Sequence, residues 1–532
     1  MPQPPEPAAS GPNTPQHRQM ALAALAGAGT ALGLAPFNLW PLALLALAAL
    51  LEGLLRARGR RHAAALGWAA GTGYFALALI WIVEPFLIEP WRHGWMAPFA
   101  LFFMSAGLAL FWAGAAALAQ GRGRLGLIGA LGLAEFARAH LFTGFPWALL
   151  GYIWTDSPLA LLAAFIGPHG LTLLALAGAS ALALAVPALV LSRLPGAALM
   201  AKGRATRPRP ASLGALLPLL ALLVAFALTP LLRQDSPARA NAPLIRLIQP
   251  NAAQHEKWSP DRIPVFYARQ LAFTRAPAAG GQRPDLIVWP ETALPWSLSQ
   301  AGPELAEISE AAGDVPVVFG IQRFEGQKLH NTLALLSGTG QISALYDKHH
   351  LVPFGEYLPF GTALARLGLR GLAERALYSF SPGSGPKLID IPGLGRFAPL
   401  ICYEAVFPAY ANAFHEQSTH LLQITNDAWF GRFSGPQQHL AQARMRAIEQ
   451  GKPMIRSANT GISAIIDAQG RVTAALKLGE SGYLDAPLPA PLPAPTLYAR
   501  TKDIPAIALA LALLAGSLRA PKRRTPPAPK AH

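Results

Sequence analysis

The sequence predicts a multi-spanning α-helical membrane domain of about eight spans joined to one extramembrane α/β domain. Three observations predict it: a composition poor in charge, apolar runs of bilayer length whose loops alternate in basic content, and one long stretch where the composition becomes ordinary. Of 532 residues, 52% are hydrophobic and 14% charged, against about 25% charged in a typical soluble domain. Mean hydropathy is +0.32. A net charge of +16 admits nucleic-acid binding when taken alone. The basic residues, however, stand in short blocks between apolar runs, which is how topogenic charge is distributed, so no nucleic-acid partner is expected.

Residues 1–18, rich in Pro, Ala and Gln, predict a disordered tail. A secretory signal peptide fits poorly, because more apolar spans follow and none ends in a cleavage site. Runs near the roughly 20 residues that cross a hydrocarbon core lie at 20–37, 39–55, 63–83, 96–119, 124–141, 159–192 and 212–232. They place about seven spans within 19–232. Pro36-Phe37-Asn38-Leu39-Trp40-Pro41 splits the first two. The sixth is long and contains Gly167-Pro168-His169-Gly170, which predicts a kink or an interfacial start. One more run, 504–520, precedes a basic tail at 521–532.

The loops set the orientation. Arg56, Arg58, Arg60 and Arg61 follow the second run, and Arg122 and Arg124 the fourth. Arg193, Lys202, Arg204, Arg207 and Arg209 follow the sixth, and Lys522, Arg523, Arg524 and Lys530 the last. The intervening loops 36–41 and 142–158 hold no Lys or Arg, and 84–95 holds only Arg92. Every basic loop thus falls on one side, which the charge rule assigns to the cytoplasm together with both termini.

Between 243 and 490 apolar runs shorten to strand length. Strands are expected at Leu244–Gln249, Asp285–Trp289, Val315–Ile321, Leu333–Leu336, Phe397–Cys402, Leu421–Thr425 and Ser463–Asp467, with helices at Ile263–Ala276 and Gln437–Glu449. Strands alternating with helices indicate a layered α/β domain, which the charge rule puts on the periplasmic side. A linker, 491–503, returns the chain to the last span.

Three segments of this domain carry chemistry. They are Asp285-Leu-Ile-Val-Trp-Pro-Glu291, Tyr346-Asp-Lys348-His-His-Leu-Val-Pro-Phe-Gly-Glu356 and Pro399-Leu-Ile-Cys402-Tyr-Glu404. Each places an ionisable or nucleophilic residue at a strand end, where α/β folds collect their ligands. Cys402 is the single cysteine, so no intramolecular disulfide forms. A thiol, with a free pKa of roughly 8.5, needs a base to take its proton and a cation to hold the thiolate. Glu291 and Lys348 are the residue types for those tasks, and an ammonium together with the Tyr403 N–H would hold a tetrahedral oxyanion. Taken singly, each has a blander reading: a capping Glu, a surface Lys, an inert core Cys. Their joint occurrence is the signal.

Together the segments resemble the nitrilase, or carbon–nitrogen hydrolase, superfamily, whose members carry a Glu–Lys–Cys triad in this chain order on an αββα sandwich. Within it, nearly the whole chain resembles the apolipoprotein N-acyltransferase family. Ala35-Pro-Phe-Asn-Leu-Trp-Pro41, Glu135 and Arg138 ahead of Gly144-Phe-Pro-Trp147 and Gly151-Tyr152, Gln249-Pro-Asn251 with Lys257-Trp258, and Thr496-Leu-Tyr-Ala-Arg500 carry that resemblance. It implies Cys402 as nucleophile, Glu291 as general base and later acid, and Lys348 as oxyanion stabiliser. It implies Glu356 as a second active-site glutamate, Tyr403 and Glu404 as supporting residues behind the nucleophile, and Trp258 in substrate handling. Trp258 also reads as an interfacial anchor. The implied reaction passes through a Cys thioester, with a phospholipid as acyl donor and a diacylglyceryl apolipoprotein as acceptor, in the bacterial inner membrane. It calls for no metal and no organic cofactor.

Other motifs are weaker. His349-His350 lacks a second ligand cluster at zinc spacing and is read as structural. Glu135 and Arg138 share a helix face, and both a structural ion pair and a lipid-headgroup contact fit them. Asn426-Asp-Ala-Trp-Phe-Gly431 follows a strand end and is expected to line the site. A tethered amidase shares the triad. A transporter does not explain it, and the internal symmetry common in transporters is absent.

Overall fold

The computed structural model describes residues 16–185, 213–233, 241–278, 281–359 and 379–519. The basic clusters at 193–209 and 522–530 lie outside these, as do residues 1–15 of the expected tail, the end of the sixth run and the start of the seventh. Gln16–Arg18, expected at the end of that tail, belong to the first helix.

Seven long helices occupy the first half of the described chain: α1 (Gln16–Ala31), α2 (Trp40–Leu55), α3 (Arg60–Ala78), α4 (Ala97–Ala119), α5 (Gly123–His140), α6 (Ala163–Ala185) and α7 (Leu213–Leu228). Their Ala and Leu content favours helix, and small residues let the backbones approach closely, as membrane helices require. α1 and α3 meet through glycines on both sides. A Cβ at Gly27 would overlap the Ala70 carbonyl, and one at Gly73 the Ala24 carbonyl. α3 ends where the chain bends by 51° into a 3₁₀ helix, Ile80–Leu87, which contains Pro85. In α6 the expected kink falls at Gly167, with φ +64, just before Pro168. The Tyr498 ring fills the space that a Gly167 side chain would need.

By length and composition, two helical stretches among the described residues can cross a membrane: Pro90–Ala119 and Pro158–Ala185. The bent pair Arg60–Ala78 and Ile80–Leu87 makes a third if it counts as one span, while Trp40–Leu55, Leu220–Leu232 and Ile504–Leu518 are shorter apolar helices.

Glu135 and Arg138 form a fully buried ion pair at 2.9 Å. Trp112 Nε1 donates to Glu135 at 2.8 Å, and Arg138 donates to the carbonyls of Phe145 and Trp147 at 2.5 and 2.9 Å. The pair ties α4, α5 and the loop after α5 together, so of its two readings the structural one holds.

The second half contains two six-stranded sheets. One runs β12 (Gly482–Pro487), β1 (Leu244–Gln249), β2 (Leu286–Val288), β3 (Val317–Glu325), β4 (Lys328–Leu336), β5 (Ile342–Asp347). The other runs β11 (Val472–Leu476), β10 (Ser463–Ile466), β9 (Met454–Ala458), β8 (His420–Thr425), β7 (Gly395–Ile401), β6 (Ile389–Ile391). The centre of each is parallel, β1–β2–β3 and β7–β8–β9, and the flanking pairs are antiparallel.

Strand alternation explains the layering. Ile245, Leu247 and Val288 of the first sheet share one core with Phe397, Ile401, Leu422 and Ile455 of the second. Residues of opposite parity face outward. Ile248 and Ile287 pack with Tyr267 and Leu271 of α8 (Ile263–Arg275) and Ile308 of α9 (Gly302–Ala312). Leu400, Leu421 and Met454 pack with Ala443 and Ala447 of α10 (Gly435–Gln450). The result is an α–β–β–α sandwich. Within the expected linker, Leu497–Thr501 forms a short helix whose N-terminal N–H at Ala499 is capped by Thr496 Oγ1 at 3.0 Å. The last helix, α11 (Ile504–Arg519), coincides with the final apolar run.

Candidate active site

Glu291 follows β2, Lys348 follows β5 and Cys402 follows β7. All three are buried, at 5%, 1% and 6% exposure. Glu291 accepts at Oε1 from Asn331 Nδ2 (2.7 Å) and at Oε2 from the Asn426 backbone N–H (2.8 Å). The second bond joins the end of β2 in one sheet to the end of β8 in the other. Lys348 Nζ donates to Glu356 Oε1 at 2.9 Å and stands 3.6 Å from Glu291 Oε1. Glu356 is fixed in turn, accepting from Asn331 Nδ2 at 3.2 Å and from the Val352 N–H at 2.8 Å.

Cys402 has φ +50, in the left-handed region, and opens a 3₁₀ turn over Cys402–Val406. Glu404 explains why the chain turns there. Its carboxylate is fully buried and accepts from the backbone N–H of Ile401 (2.8 Å), the Tyr346 hydroxyl (2.9 Å) and the backbone N–H groups of His349 and His350 (2.9 and 3.2 Å). Glu404 therefore braces the Lys348 loop against the Cys402 turn. Burial alone would raise its pKa, but the His349 hydrogen bond and charge, the Ile401 N–H and Lys348 outweigh this and hold it below the ordinary carboxylate value.

The same balance sets the triad. Burial disfavours the Lys348 ammonium, yet Glu356, Glu291 and Cys402 raise its pKa well above the ordinary lysine value. Lys348 therefore stays charged. Burial and then Glu291 push the Cys402 thiol up, and Lys348 offsets only part of this. Cys402 is thus held as a thiol at rest, with the Glu291 carboxylate and the Lys348 ammonium acting on it in opposite directions.

Of the other expected residues, Tyr403 is buried, with its ring against Phe407 and His350. Trp258 is 41% exposed and borders a cleft with Pro290 and Thr292, beside Glu291. Its neighbour Lys257, whose Nζ lies 5.2 Å from the indole centroid, donates to Thr292 Oγ1 at 2.7 Å and the Glu291 carbonyl at 3.3 Å. His349 and His350 engage Glu404 and Tyr410. Of the Asn426–Gly431 segment, the Asn426 N–H touches Glu291, and Asp427 turns inward to Arg456 at 2.6 Å.

Asn331, Gln423, His439 and Arg456 were not anticipated, although all are buried around the triad. The available signal was a polar residue interrupting an apolar strand, as in Leu421-Leu-Gln423-Ile-Thr425.

The carbon-nitrogen hydrolase family model matches residues 245–493, and the apolipoprotein N-acyltransferase N-terminal domain model matches residues 26–182. A relative described as an apolipoprotein N-acyltransferase from Bradyrhizobium diazoefficiens is 37% identical over 535 residues, covering 95% of this chain and 96% of its own. One of the same description from Caulobacter vibrioides is 37% identical and covers 92% of each chain. A solved amidase from Nesterenkonia sp. is 20% identical, covering 47% of this chain and 92% of its own at a TM-score of 0.34.

Proposed function

This chain belongs to the apolipoprotein N-acyltransferase family, and we propose that it transfers an acyl chain from a phospholipid to the α-amine of the N-terminal diacylglyceryl-cysteine of apolipoproteins, the last step of bacterial lipoprotein maturation. The observation that carries the mechanism is the buried Lys348 held between the Glu356 and Glu291 carboxylates and coupled to Cys402.

Cys402 Sγ attacks the ester carbonyl as its proton passes to Glu291. Lys348 Nζ and the Tyr403 N–H hold the oxyanion. The ester C–O bond then breaks, the lysophospholipid oxygen takes the proton from Glu291, and a thioester remains. In the second half the acceptor's amine attacks the thioester, Glu291 takes a proton from the nitrogen, and the departing thiolate is reprotonated. The second carboxylate, Glu356, keeps Lys348 charged through both halves. Each lipid CH₂ moved from hydrocarbon to water costs about 0.8 kcal/mol, so an enzyme seated on its own helices in the bilayer that anchors both substrates avoids extracting either one.

For topology, the reading is about eight spans with both termini cytoplasmic and the domain of residues 243–490 periplasmic. The alternation of basic loops supports it.

Purified protein incubated with phospholipid should acquire a hydroxylamine-sensitive acyl group that Cys402→Ser abolishes. Acylation persisting through another residue in that variant overturns the mechanism. A reporter fused near residue 300 should be active only when it folds outside the cytoplasm; cytoplasmic activity overturns the topology.

A further inference from the structure

Gln438 and His439 are neighbours on α10 that serve different halves of the molecule. Gln438 reaches the helical domain. Its Oε1 accepts from Trp147 Nε1 at 2.7 Å, and its Nε2 donates to the carbonyls of Ala35 at 3.1 Å and Ala78 at 3.0 Å. Those partners belong to the loop after α5, the loop between α1 and α2, and the last residue of α3.

His439 turns toward the nucleophile. Its Nδ1 lies 2.8 Å from Asp427 Oδ1, and its Nε2 lies 3.1 Å from Gln423 Nε2 and 3.2 Å from the Cys402 carbonyl oxygen. Gln423 Nε2 donates to that same carbonyl at 3.2 Å. Arg456 orients the network, donating to Gln423 Oε1 at 2.5 Å and to Asp427 Oδ2 at 2.6 Å. Gln423, Asp427, His439 and Arg456 are each 0% exposed.

A neutral His439 ring accounts for the bonds to Asp427 and Gln423. Neutral His439 donates from Nδ1 to Asp427 and accepts at Nε2 from one Gln423 N–H, leaving the other Gln423 N–H for the Cys402 carbonyl. Burial and the Arg456 charge hold His439 below its ordinary pKa, in keeping with the neutral ring. Trp147 links the two neighbours, bonding to Gln438 while its ring lies 5.6 Å from that of His439.

The Cys402 carbonyl and the Tyr403 N–H belong to one planar peptide. Whatever fixes the first aims the second. A non-glycine residue at φ +50 keeps that geometry only where its surroundings impose it.

We propose that Gln438 and His439 are positioning residues that aim the Tyr403 N–H at the oxyanion and make that aim depend on α10 being seated on the membrane helices. The inference rests on Cys402 being the acylated residue. It predicts a loss confined to transition-state stabilisation.

The test uses the full-length protein in phospholipid nanodiscs, comparing acyl-enzyme formation with alkylation of Cys402 by iodoacetamide, which forms no oxyanion. In His439→Leu, kcat for acylation should fall about tenfold or more, with KM for the donor unchanged and alkylation within about twofold of the parent. His439→Gln, whose side-chain oxygen can accept from Gln423, should recover most of the loss. Gln438→Leu keeps the packing volume but breaks the bonds to the helical domain, and it should lower kcat in the same selective way. Unchanged kcat in the Leu variants, or kcat and alkylation falling in parallel, overturns the inference. Absence of an acyl-enzyme at Cys402 in the parent protein instead overturns the functional reading beneath it.

Discussion

Asn331 donates from Nδ2 to Glu291 at 2.7 Å, and the same nitrogen lies 3.2 Å from Glu356. One amide on β4 thus holds two carboxylates that flank Lys348. Its backbone carbonyl also accepts the Lys348 N–H at 2.8 Å. Asn331→Leu removes the side-chain bonds and leaves the fold's strand intact. A hydrogen bond to a charged group is worth about 2 kcal/mol, or roughly 30-fold in rate. Acyl-enzyme formation should slow by about that factor, and Asn331→Asp, which adds a third carboxylate, should slow it further. Single-turnover acylation measures both; an Asp variant faster than the Leu variant would sink this account of the charge balance.

Glu404 is predicted to be a brace whose loss affects stability and catalysis together. It accepts four hydrogen bonds from Ile401, Tyr346, His349 and His350 in a site without solvent. Glu404→Gln keeps the shape, removes the charge, and turns one acceptor into a donor facing N–H groups. The expected cost is about 3 kcal/mol in stability, read as a fall in Tm by differential scanning fluorimetry, accompanied by slower alkylation of Cys402.

The thiol itself yields a pH prediction. Burial and Glu291 raise the Cys402 pKa above its ordinary value, while Lys348 opposes them. Iodoacetamide should therefore react with Cys402 more slowly at neutral pH than with a free thiol, and faster as pH rises. Lys348→Met removes the opposing charge and should slow alkylation further at every pH. Alkylation of the parent that is fast and flat through neutrality would show a preformed thiolate and refute the prediction.

Acid should weaken the α/β domain. Burial lowers the pKa of His439 and takes that of His350 to about 4, from an ordinary value of 6.5. As pH falls below 6.5 the unfolded chain binds protons that the folded chain refuses, so folding loses free energy down to about pH 4. Asp427 acts in a lower window. Its burial is outweighed by Arg456 and His439, which hold it at about 2, so its contribution is lost as pH falls from the ordinary 3.8 toward that value. Tm should hold above neutrality and decline below pH 6.5, less steeply in His350→Asn. A Tm independent of pH across that window would contradict it.

The sequence made the centre of each sheet legible and left the edges obscure, for physical reasons. β1, β7 and β8 are mostly buried and read as mainly apolar runs in spite of single polar interruptions such as Arg246 and Gln423. β6 has only three residues, and β5, β11 and β12 are partly exposed edge strands without clean alternation. β9 was hidden by Arg456, a charge inside a fully buried strand whose partners, Asp427 and Gln423, come from other segments. The site divides in the same way. Glu291, Lys348 and Cys402 stand at strand ends within local motifs, whereas Asn331 and His439 act only through contacts distant in sequence.

Gly320 supplies the last prediction. It lies on β3 directly against the turn that carries Glu291. A Cβ there would overlap the Thr292 backbone nitrogen and come within 2.7 Å of Glu291 Cα. Both are backbone atoms, so no side-chain rotation relieves the clash. Thr292 already sits at φ +45 and is pinned by Lys257, which leaves displacement of Glu291 as the main relief. Gly320→Ala should cost about 1–3 kcal/mol of stability, the usual range for overpacking. It should lower acylation by more than that loss explains, because a base moved by about 1 Å can cost roughly 100-fold. Comparing single-turnover rates at temperatures where the variant is fully folded separates the two effects. A folded Gly320→Ala protein that acylates at the parent rate would show that the Glu291 turn does not need this close approach.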